Sequence, residues 1–396
     1  MPIDYQQIHA KIKEIGADAS ERRKTIEERR GRARDLLQSY ASELDFLRSK
    51  VDSAKTVDAN IRCALPVSEP LVSSRPPAAS VKDATLIAAD GSQINLDRHA
   101  TVQFCLINVG AIIMKLNSGE VPEISVSSEL LYGDDIETNA GLITDDRVAL
   151  RRDLKERAKL DELSKTAKSP VLTLIDGPIE LWGAKGEDEK IYNDFIRSYL
   201  KILSRLQARG VVTAGYVDKP AADLVVRLLE IVSANNEQMK KLREFHPLRG
   251  VSDRWLFGER ESPLLPPGHR SAVFGIQSGS EKNYTGVLSL HFFYLNVGTD
   301  GHPWPVRVEI PKWVADDQEK LNLLHAILVE QCRVMGSKPY PYLLHRAHET
   351  AVVKHEEKQQ IEQMLAQELR SQNEEVDEGS YKQSAKDLQG RTSYKP

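Results

Sequence analysis

Between Ile8 and Ala54 the apolar residues recur at steps of three, four or seven, which is the spacing of one face of a helix. This seam consists of Ile8, Ile12, Ile15, Ala19, Ile26, Ala33, Leu37, Tyr40, Leu44, Leu47, Val51 and Ala54. No proline interrupts the stretch, so we predict one long helix. A seam this narrow suits pairing with another helix, and we expect it to contact a second subunit or the body of the protein.

After a connector rich in proline and serine, short apolar runs alternate with helical periods. The runs predict strands at 86–89, 101–116 (one long or two short), 171–179, 211–217, 286–297 and 304–310. The helical periods are at 145–167, 189–208, 220–235, 315–336 and 342–370. The order β, β, β, α, β, α, β, α after the connector is typical of an α/β layer fold.

These patterns divide the chain into four parts. We predict a helical, coiled-coil-like segment at 1–64, a connector at 65–81, a folded body at 82–370 and a tail at 371–396. The tail has almost no apolar residues, so it cannot bury enough surface to fold and is expected to be disordered.

The composition restricts the class of protein further. The 396 residues are 40% hydrophobic and carry a net charge of -4, which excludes a polycationic binder but permits local basic patches. The cysteines Cys63, Cys105 and Cys332 form no C-x-x-C pair, so a disulfide framework and a cysteine zinc site are not expected. We find no signal peptide and no apolar run long enough to span a bilayer, and we expect a cytoplasmic protein without membrane contact.

Two apolar runs end on the same dipeptide, AADGS at Asp90 and LIDGP at Asp176. A carboxylate at the end of a buried strand is costly unless it binds a cation or accepts hydrogen bonds. The glycine that follows permits a turn or the close approach of another group. One such dipeptide is most simply a turn. Two on successive core strands indicate a shared site for Mg²⁺ or Mn²⁺, which favour carboxylate oxygens.

A third carboxylate comes from the first helix after the connector. Glu156 shares a face with Leu160 and therefore points inward, whereas Asp153 lies at the margin of that face and Glu162 lies away from it. An ion pair with a neighbouring arginine or lysine near the surface explains Glu156 equally well.

The last predicted helix presents one histidine inward. His348 shares a face with Leu344 and Ala351, while HRAHE is not the H-E-x-x-H arrangement of a metalloprotease. A lone inward histidine is more often a hydrogen-bonded core residue, so His348 is a functional candidate only if it joins the carboxylates. The chain contains no P-loop, no G-x-S-x-G elbow and no G-x-G-x-x-G fingerprint, which gives no support to a motor ATPase, a hydrolase triad or a dinucleotide cofactor.

Taken in order, seven short motifs resemble the NurA family of DNA-repair nucleases. They are AADGS (88–92), LIDGPI (174–179), AGYVDKP (214–220), PPGHRSAVF (266–274), FFYLNV (292–297), VRVEIP (306–311) and YPYLLHRAH (340–348). Each is weak alone, but seven in sequence are specific. One departure is His269 in GHRS, where the family is expected to favour GERS.

The resemblance implies a ribonuclease H-like fold, with a mixed sheet flanked by helices and with the first and fourth strands as neighbours. It implies a nuclease that depends on Mn²⁺ or Mg²⁺, with two ions held by Asp90, Glu156, Asp176 and His348. Lys219, Arg270 and Tyr294 would contact DNA. The implied partners are DNA, a HerA-type hexameric ATPase and a second copy of the chain.

The resemblance thus favours a DNA-end-resecting nuclease, in double-strand-break repair or in phage defence. A hypothesis from another class is a non-catalytic adaptor or DNA clamp docked on the ATPase. Metal binding discriminates between the two. The sequence does not assign the role of His348, the polarity of cleavage or the preference for single or double strands.

Overall fold

In the computed structural model, residues 4–78, 83–98, 100, 102–138, 141–182 and 189–374 are described. The strands are β1 (Cys63–Pro66), β2 (Thr85–Ile94), β3 (Cys105–Lys115), β4 (Glu123–Leu131), β5 (Glu137–Thr138), β6 (Gly141–Leu142), β7 (Val171–Asp176), β8 (Val212–Val217), β9 (Phe274–Gln277), β10 (Leu290–Asn296) and β11 (Pro305–Pro311).

The α-helices of the described residues flank these strands. They are α1 (Tyr5–Ala17), α2 (Ala19–Ser39), α3 (Leu44–Val57), α4 (Asp145–Ser164), α5 (Glu189–Ala208), α6 (Leu224–Ser233), α7 (Asn236–Lys240), α8 (Asp253–Phe257), α9 (Lys312–Ala315), α10 (Gln318–Val334), α11 (Tyr342–Ala351) and α12 (His355–Ser371). The predicted class, a mixed α/β fold, is confirmed.

The chain forms two compact units. Unit 1 comprises Met1–Val81, Gly177–Ile179 and Ala214–Tyr340, and unit 2 comprises Lys82–Asp176, Glu180–Thr213 and Pro341–Pro396. The boundaries predicted at 64, 81 and 370 remain a prediction. The last residues of the predicted connector (79–81) and most of the predicted tail (375–396) lie outside the described residues.

In unit 1 the strands follow the order β1-β9-β10-β11-β8, and each neighbouring pair is antiparallel. The strands predicted at 286–297 and 304–310 are β10 and β11, and β1 and β9 were not predicted. Aromatic rings fill the core beside β10, where the ring of Tyr294 stacks on that of Phe257 with centroids 4.8 Å apart and meets that of Phe292 edge-on.

The N-terminal segment is helical as predicted, but it is not one helix. α1 ends at Ala17 and α2 begins at Ala19, with Asp18 as a single turn residue between them. A larger break separates α2 from α3, where the chain turns at Tyr40. The second half of the seam is buried in unit 1, including Leu37 and Leu47, because α3 packs against α6 and β1. The apolar period continues through the turn because the helices on both sides of it bury apolar residues.

The arginine-rich middle of this segment makes contacts within unit 1. Arg29 donates to the carbonyl of Arg249 at 2.6 Å. The guanidinium groups of Arg30 and Arg34 lie 4.8 and 5.1 Å from the ring centroid of Trp255. These arginines therefore attach α2 to its neighbours, as cations stacked on an indole do.

In unit 2 the strand order is β7-β2-β3-β4. β2, β3 and β4 form an antiparallel meander, and β7 is parallel to β2, so the sheet is mixed. The expectation that the strands carrying Asp90 and Asp176 are neighbours is confirmed. The third strand of the meander, β4, was not predicted, and 101–116 contributes a single strand.

Helices cover both faces of this sheet at glycines that permit close approach. A Cβ on Gly91 would lie 2.5 Å from Oε1 of Glu156 in α4, and a Cβ on Gly110 would lie 2.6 Å from the backbone nitrogen of Ala351 in α11. At Gly110 the nearest atoms are backbone atoms of α11, so a larger residue there would push this helix off the sheet. At Gly91 they are side-chain atoms of Glu156 and Arg152, which would have to move. These two approaches place α4 and α11 against β2 and β3.

The last helix is also interrupted. α11 ends at Ala351 and α12 begins at His355, with Val352 extended between them. Val353 packs beside a small core of Ile94, Phe104 and Leu106, which draws the chain out of the helical path. Among the described residues, no helix is both long enough and apolar enough to cross a membrane.

Candidate active site

Asp90 lies within β2 and not at its end, contrary to the prediction, because the strand continues through Gly91 to Ile94. The pairing of β2 with β7 stops one residue earlier, at Ala89 opposite Ile175. The Asp90 side chain is 16% exposed, and its Oδ2 accepts a hydrogen bond from Nδ1 of His348 at 2.7 Å. A carboxylate where the parallel pairing ends thus meets a histidine from α11.

The C-terminal end of α11 is held on the sheet by its last carbonyl. The carbonyl oxygen of Ala351 accepts hydrogen bonds from Oγ of Ser92 at 2.5 Å and from Nδ2 of Asn108 at 2.8 Å. Asn108 is in turn held by the hydroxyl of Ser128, which donates to its Oδ1. These contacts position His348. The prediction that His348 faces inward is wrong, because its side chain is 63% exposed and keeps access to solvent.

Glu156 points inward from α4, as the helical periodicity predicted, and is 5% exposed. Its Oε1 lies 3.2 Å from Nε of Arg152, one turn earlier in the same helix. Burial raises the pKa of Glu156 to about 8, and the negative charges of Asp153 and Asp90 oppose the effect of the nearby arginines. The ionised carboxylate is therefore under-compensated and would be stabilised by a further cation.

Asp176 ends β7, and the register places it next to Asp90, since Ala89 and Ile175 are partners in the parallel ladder. Gly177 follows with a φ of +91°, a conformation that residues with a Cβ rarely adopt. The glycines of the two Asp-Gly dipeptides are therefore required for different structural reasons. Gly91 makes room for α4, whereas Gly177 lets the chain turn.

The donor set fits a hard divalent cation by its chemistry. Asp90, Glu156 and Asp176 offer carboxylate oxygens, and the buried Glu156 lacks full compensation of its charge. Across the described residues, however, no three histidine, cysteine or carboxylate side chains lie close enough together to hold a metal ion as they stand. Side chains of this set would have to move to bind one.

Arg152 is a further member of this cluster. Its Nη2 lies 2.7 Å from Oδ1 of Asp153, and its Nε contacts Glu156. Its aliphatic stem covers β2 at Gly91, where a Cβ would lie 2.7 Å from Cγ of Arg152. In the sequence this residue is one of several basic neighbours of Glu156. Its spacing of four residues from Glu156 is the signal that identifies it.

Of the residues predicted to contact DNA, Lys219 alone is exposed, in the segment after β8. Arg270 is 2% exposed, and its Nη1 donates to Oε2 of Glu69 at 2.8 Å. Tyr294 is fully buried, and its hydroxyl donates to Oδ2 of Asp253 at 2.7 Å. The structure therefore contradicts DNA contact by Arg270 and Tyr294, whose polar groups serve pairs inside unit 1.

The motif around Arg270 explains this outcome. Arg270 exchanges two backbone hydrogen bonds with Arg75, and Nδ1 of His269 lies 3.0 Å from Oγ of Ser74. The GHRS segment thus attaches the stretch after β1 to the rest of unit 1. Sequence reasoning assigned a structural motif to substrate contact, because a motif does not reveal which of its charges are paired.

A family model described as "NurA domain" matches residues 84–353 of the chain. Among solved structures, the NurA nuclease from Sulfolobus solfataricus aligns with a TM-score of 0.48 and 12% identity, over 92% of this chain and 98% of that one. Endonuclease V from Ciona intestinalis, in complex with DNA, aligns with a TM-score of 0.31 and 12% identity, over 78% and 96%. The catalytic domain of human endonuclease V aligns with 0.32 and 13%, over 81% and 98%. No curated protein sequence matches the chain.

Proposed function

The chain belongs to the NurA domain family, and on this premise we propose that it is a deoxyribonuclease that uses Mn²⁺ or Mg²⁺. The family predicted from the motifs is confirmed by the match over residues 84–353. One observation carries the proposal. The unit 2 cluster, by which we mean Asp90, Glu156, Asp176, His348 and Arg152, joins carboxylates on β2 and α4 to a histidine on α11.

The proposed ligands are Asp90, Glu156, Asp176 and His348, for two ions. When bound, the ions would activate water and stabilise the leaving oxygen of a phosphodiester. The chain's own residues then have distinct tasks. Asp90 orients the imidazole of His348 through the 2.7 Å hydrogen bond, and the 63% exposure of His348 leaves it accessible to substrate. Burial destabilises the ionised carboxylate of Glu156, so a proton or a metal cation that binds there is favoured.

The test is degradation of linear DNA by the purified full chain with Mn²⁺, Mg²⁺ or a chelator. We expect Mn²⁺- or Mg²⁺-dependent activity that falls by at least about a hundredfold in an Asp90→Asn, Asp176→Asn double variant. Glu162→Gln is the matched control, because Glu162 lies on the same helix with 61% of its side chain exposed and pairs only with Lys159 in the described residues. Full activity in the double variant would refute the site.

Metal titration separates the nuclease from the alternative class. A calorimetric experiment with Mn²⁺ and the full chain should show binding that the double variant loses. A chain that binds no divalent cation and degrades no DNA, yet binds DNA or an ATPase ring, would be the adaptor or clamp instead.

We further propose that the chain acts on DNA ends together with a HerA-type hexameric ATPase. The absence of a P-loop in the sequence supports this division of labour, since translocation along DNA needs a motor. Resection in the presence of such an ATPase and ATP should exceed that of the chain alone. Equal activity with and without the ATPase would contradict the partnership.

The proposed homodimer has a candidate surface on β4. This strand is at the end of the unit 2 order, and one face of it is apolar and exposed, with Ile124 at 60%, Val126 at 53% and Leu130 at 41%. It has no lysine or proline of the kind that guards exposed edges. If the β4 strands of two copies paired antiparallel about Ser127, Ile124 of one copy would lie opposite Leu130 of the other, and no glutamate would lie opposite a glutamate. This complementarity favours a second copy of the chain as the partner on β4.

The test is the mass of the particle in solution by light scattering. A Val126→Ser, Leu130→Ser double variant should shift the protein from dimer to monomer. Val121→Ser is the control, because Val121 is 86% exposed and lies outside the strand. A double variant that remains a dimer would place the interface elsewhere, and a monomeric wild type would refute the dimer itself.

A further inference from the structure

Arg152 differs from the other arginine beside Glu156. Arg157 is buried, donates from Nη1 to the carbonyl of Asp153 at 2.8 Å and lies 5.0 Å from the ring centroid of Tyr199, so a ring and a carbonyl hold it. Arg152 is 30% exposed. Within the described part of the chain its polar contacts are with the carboxylates of Asp153 and Glu156.

Both of those carboxylates belong to α4, the helix that carries Arg152. Burial would lower the pKa of Arg152, but the charges of Asp153, Glu156 and Asp90 outweigh it and raise the pKa. The stem lies across Gly91, the residue directly after Asp90. Arg152 is therefore a cation that contacts one proposed metal ligand, Glu156, lies against the residue that follows another, Asp90, and is 30% exposed.

A cation in this position has two consequences. Any divalent cation that binds Glu156 must compete with the 3.2 Å contact between Nε of Arg152 and Oε1 of Glu156. Once that contact is lost, the guanidinium remains tethered one helical turn away, with planar donors that match a phosphate. The same side chain can thus hold the carboxylates in one state and bind an anion in the other.

We propose that Arg152 is a displaceable counterion: it pairs with Glu156 before a divalent cation binds and afterwards contacts a non-bridging oxygen of the substrate phosphate. This inference rests on the proposed function and assigns Arg152 two roles with effects of opposite sign. A merely structural salt bridge would not have that signature, because its loss would weaken metal binding and activity together.

The experiment compares the wild type with Arg152→Gln and Arg152→Lys. Calorimetric titration of the full chain with Mn²⁺, without DNA, should show about 3- to 10-fold tighter binding by Arg152→Gln, since a competing charge is removed. The same variant should cleave linear DNA with kcat lowered about a hundredfold, because a phosphate-binding donor is lost. Arg152→Lys keeps the charge and should recover part of kcat while binding Mn²⁺ as the wild type does.

Arg151→Gln is the matched control. Arg151 is the adjacent residue of α4, is also 30% exposed and pairs with Glu129 on β4, so it should change neither Mn²⁺ affinity nor kcat. The thermal midpoint of each variant shows whether it is folded. Should Arg152→Gln fail to fold, Arg152→Lys carries the test, because kcat equal to that of the wild type would refute a planar phosphate contact.

The outcomes separate the inference from the function on which it rests. A wild type that binds no Mn²⁺ overturns both. A wild type that binds Mn²⁺ and cleaves DNA, with Arg152→Gln binding Mn²⁺ equally or more weakly, overturns the counterion role and leaves the nuclease intact. Unchanged kcat in Arg152→Gln overturns the phosphate contact.

Discussion

The two units use charged residues in different ways. In unit 1, Arg270 meets Glu69 and Tyr294 meets Asp253 in short hydrogen bonds away from solvent. In the unit 2 cluster, carboxylates lie near each other, and the pKa of buried Glu156 is raised to about 8. Paired charges of the first kind hold a fold together. Under-compensated carboxylates of the second kind raise the free energy of the folded state when they are ionised, and a bound cation would remove this penalty.

The difference leads to a simple expectation. Substitution of one member of a buried pair in unit 1 should lower the free energy of unfolding, because the other member is left buried without a hydrogen-bond partner. Substitution in the unit 2 cluster should leave the fold almost unchanged and remove activity. Four measurements test this expectation, and the largest effect on stability comes first.

The Arg270–Glu69 pair should be the most sensitive. Arg270→Ala is expected to lower the free energy of unfolding by about 3–5 kcal/mol, because Glu69 would lose its main cation. Urea denaturation measures this change. Arg75→Ala is the control, since Arg75 also contacts Glu69 but is 56% exposed, and it should cost about 0–1 kcal/mol. Equal losses in the two variants would show that the buried Arg270–Glu69 pair contributes no more to stability than the exposed contact of Arg75.

The next effect is a pH dependence in unit 1. Burial lowers the pKa of His325 to about 4, and its Nε2 lies 2.7 Å from the carbonyl oxygen of Gly268. Between pH 6.5 and 4 the unfolded chain binds the proton more readily than the folded chain, so stability falls as pH falls through this window. We expect His325 to contribute a loss of about 2 kcal/mol between pH 7 and pH 5.

Urea denaturation at the two pH values, for the wild type and His325→Gln, isolates this contribution. Other titrating groups contribute to both proteins and cancel in the difference. The variant should lose less stability than the wild type on acidification. Parallel pH profiles would mean that His325 does not remain neutral in the fold.

A smaller loss is expected at Tyr294. Tyr294→Phe keeps the stacked ring but removes the hydroxyl that donates to Asp253, a residue with no solvent exposure. The backbone nitrogens of Val225 and Val226 still donate to that carboxylate, so the cost should be about 1–2 kcal/mol. Calorimetric unfolding measures it, with Tyr132→Phe at a 46% exposed position as a control that should be neutral.

Asp90→Asn should have the smallest effect on stability. The amide keeps the shape of the side chain and removes repulsion between Asp90 and Glu156, so the free energy of unfolding should change by less than about 0.5 kcal/mol. Nuclease activity of the same preparation should be lost. A loss of stability comparable to that of Arg270→Ala would make Asp90 a structural residue and would erase the contrast between the units.

Several features of the fold followed from periodicity. The helix at 189–208 has the predicted ends, and the inward position of Glu156 followed from its spacing to Leu160. Both are local properties, because a helix sets its own faces through 3.6 residues per turn. The strand β4 was not predicted. Its sequence, EISVSSELL, exposes most of its residues, so burial does not impose the usual alternation.

The breaks in the helical segments were not predictable either. The apolar period runs through Tyr40 without a proline or a glycine, and the turn there depends on what α3 packs against. The same holds for Arg270 and Tyr294. A motif identifies them, but whether an arginine faces solvent or a carboxylate depends on Glu69, which is 201 residues away in the chain.

What can be derived from the residues in order is the type of chemistry: aspartates at the ends of apolar runs, an inward glutamate and a histidine on the last predicted helix. Their spacing sets the face of each helix or strand because those periods are local. The pairing of charges depends on contacts between distant segments, and these exist only once the chain has packed. The hydrogen bond between Asp90 and His348 joins residues 258 positions apart, and no local period encodes it.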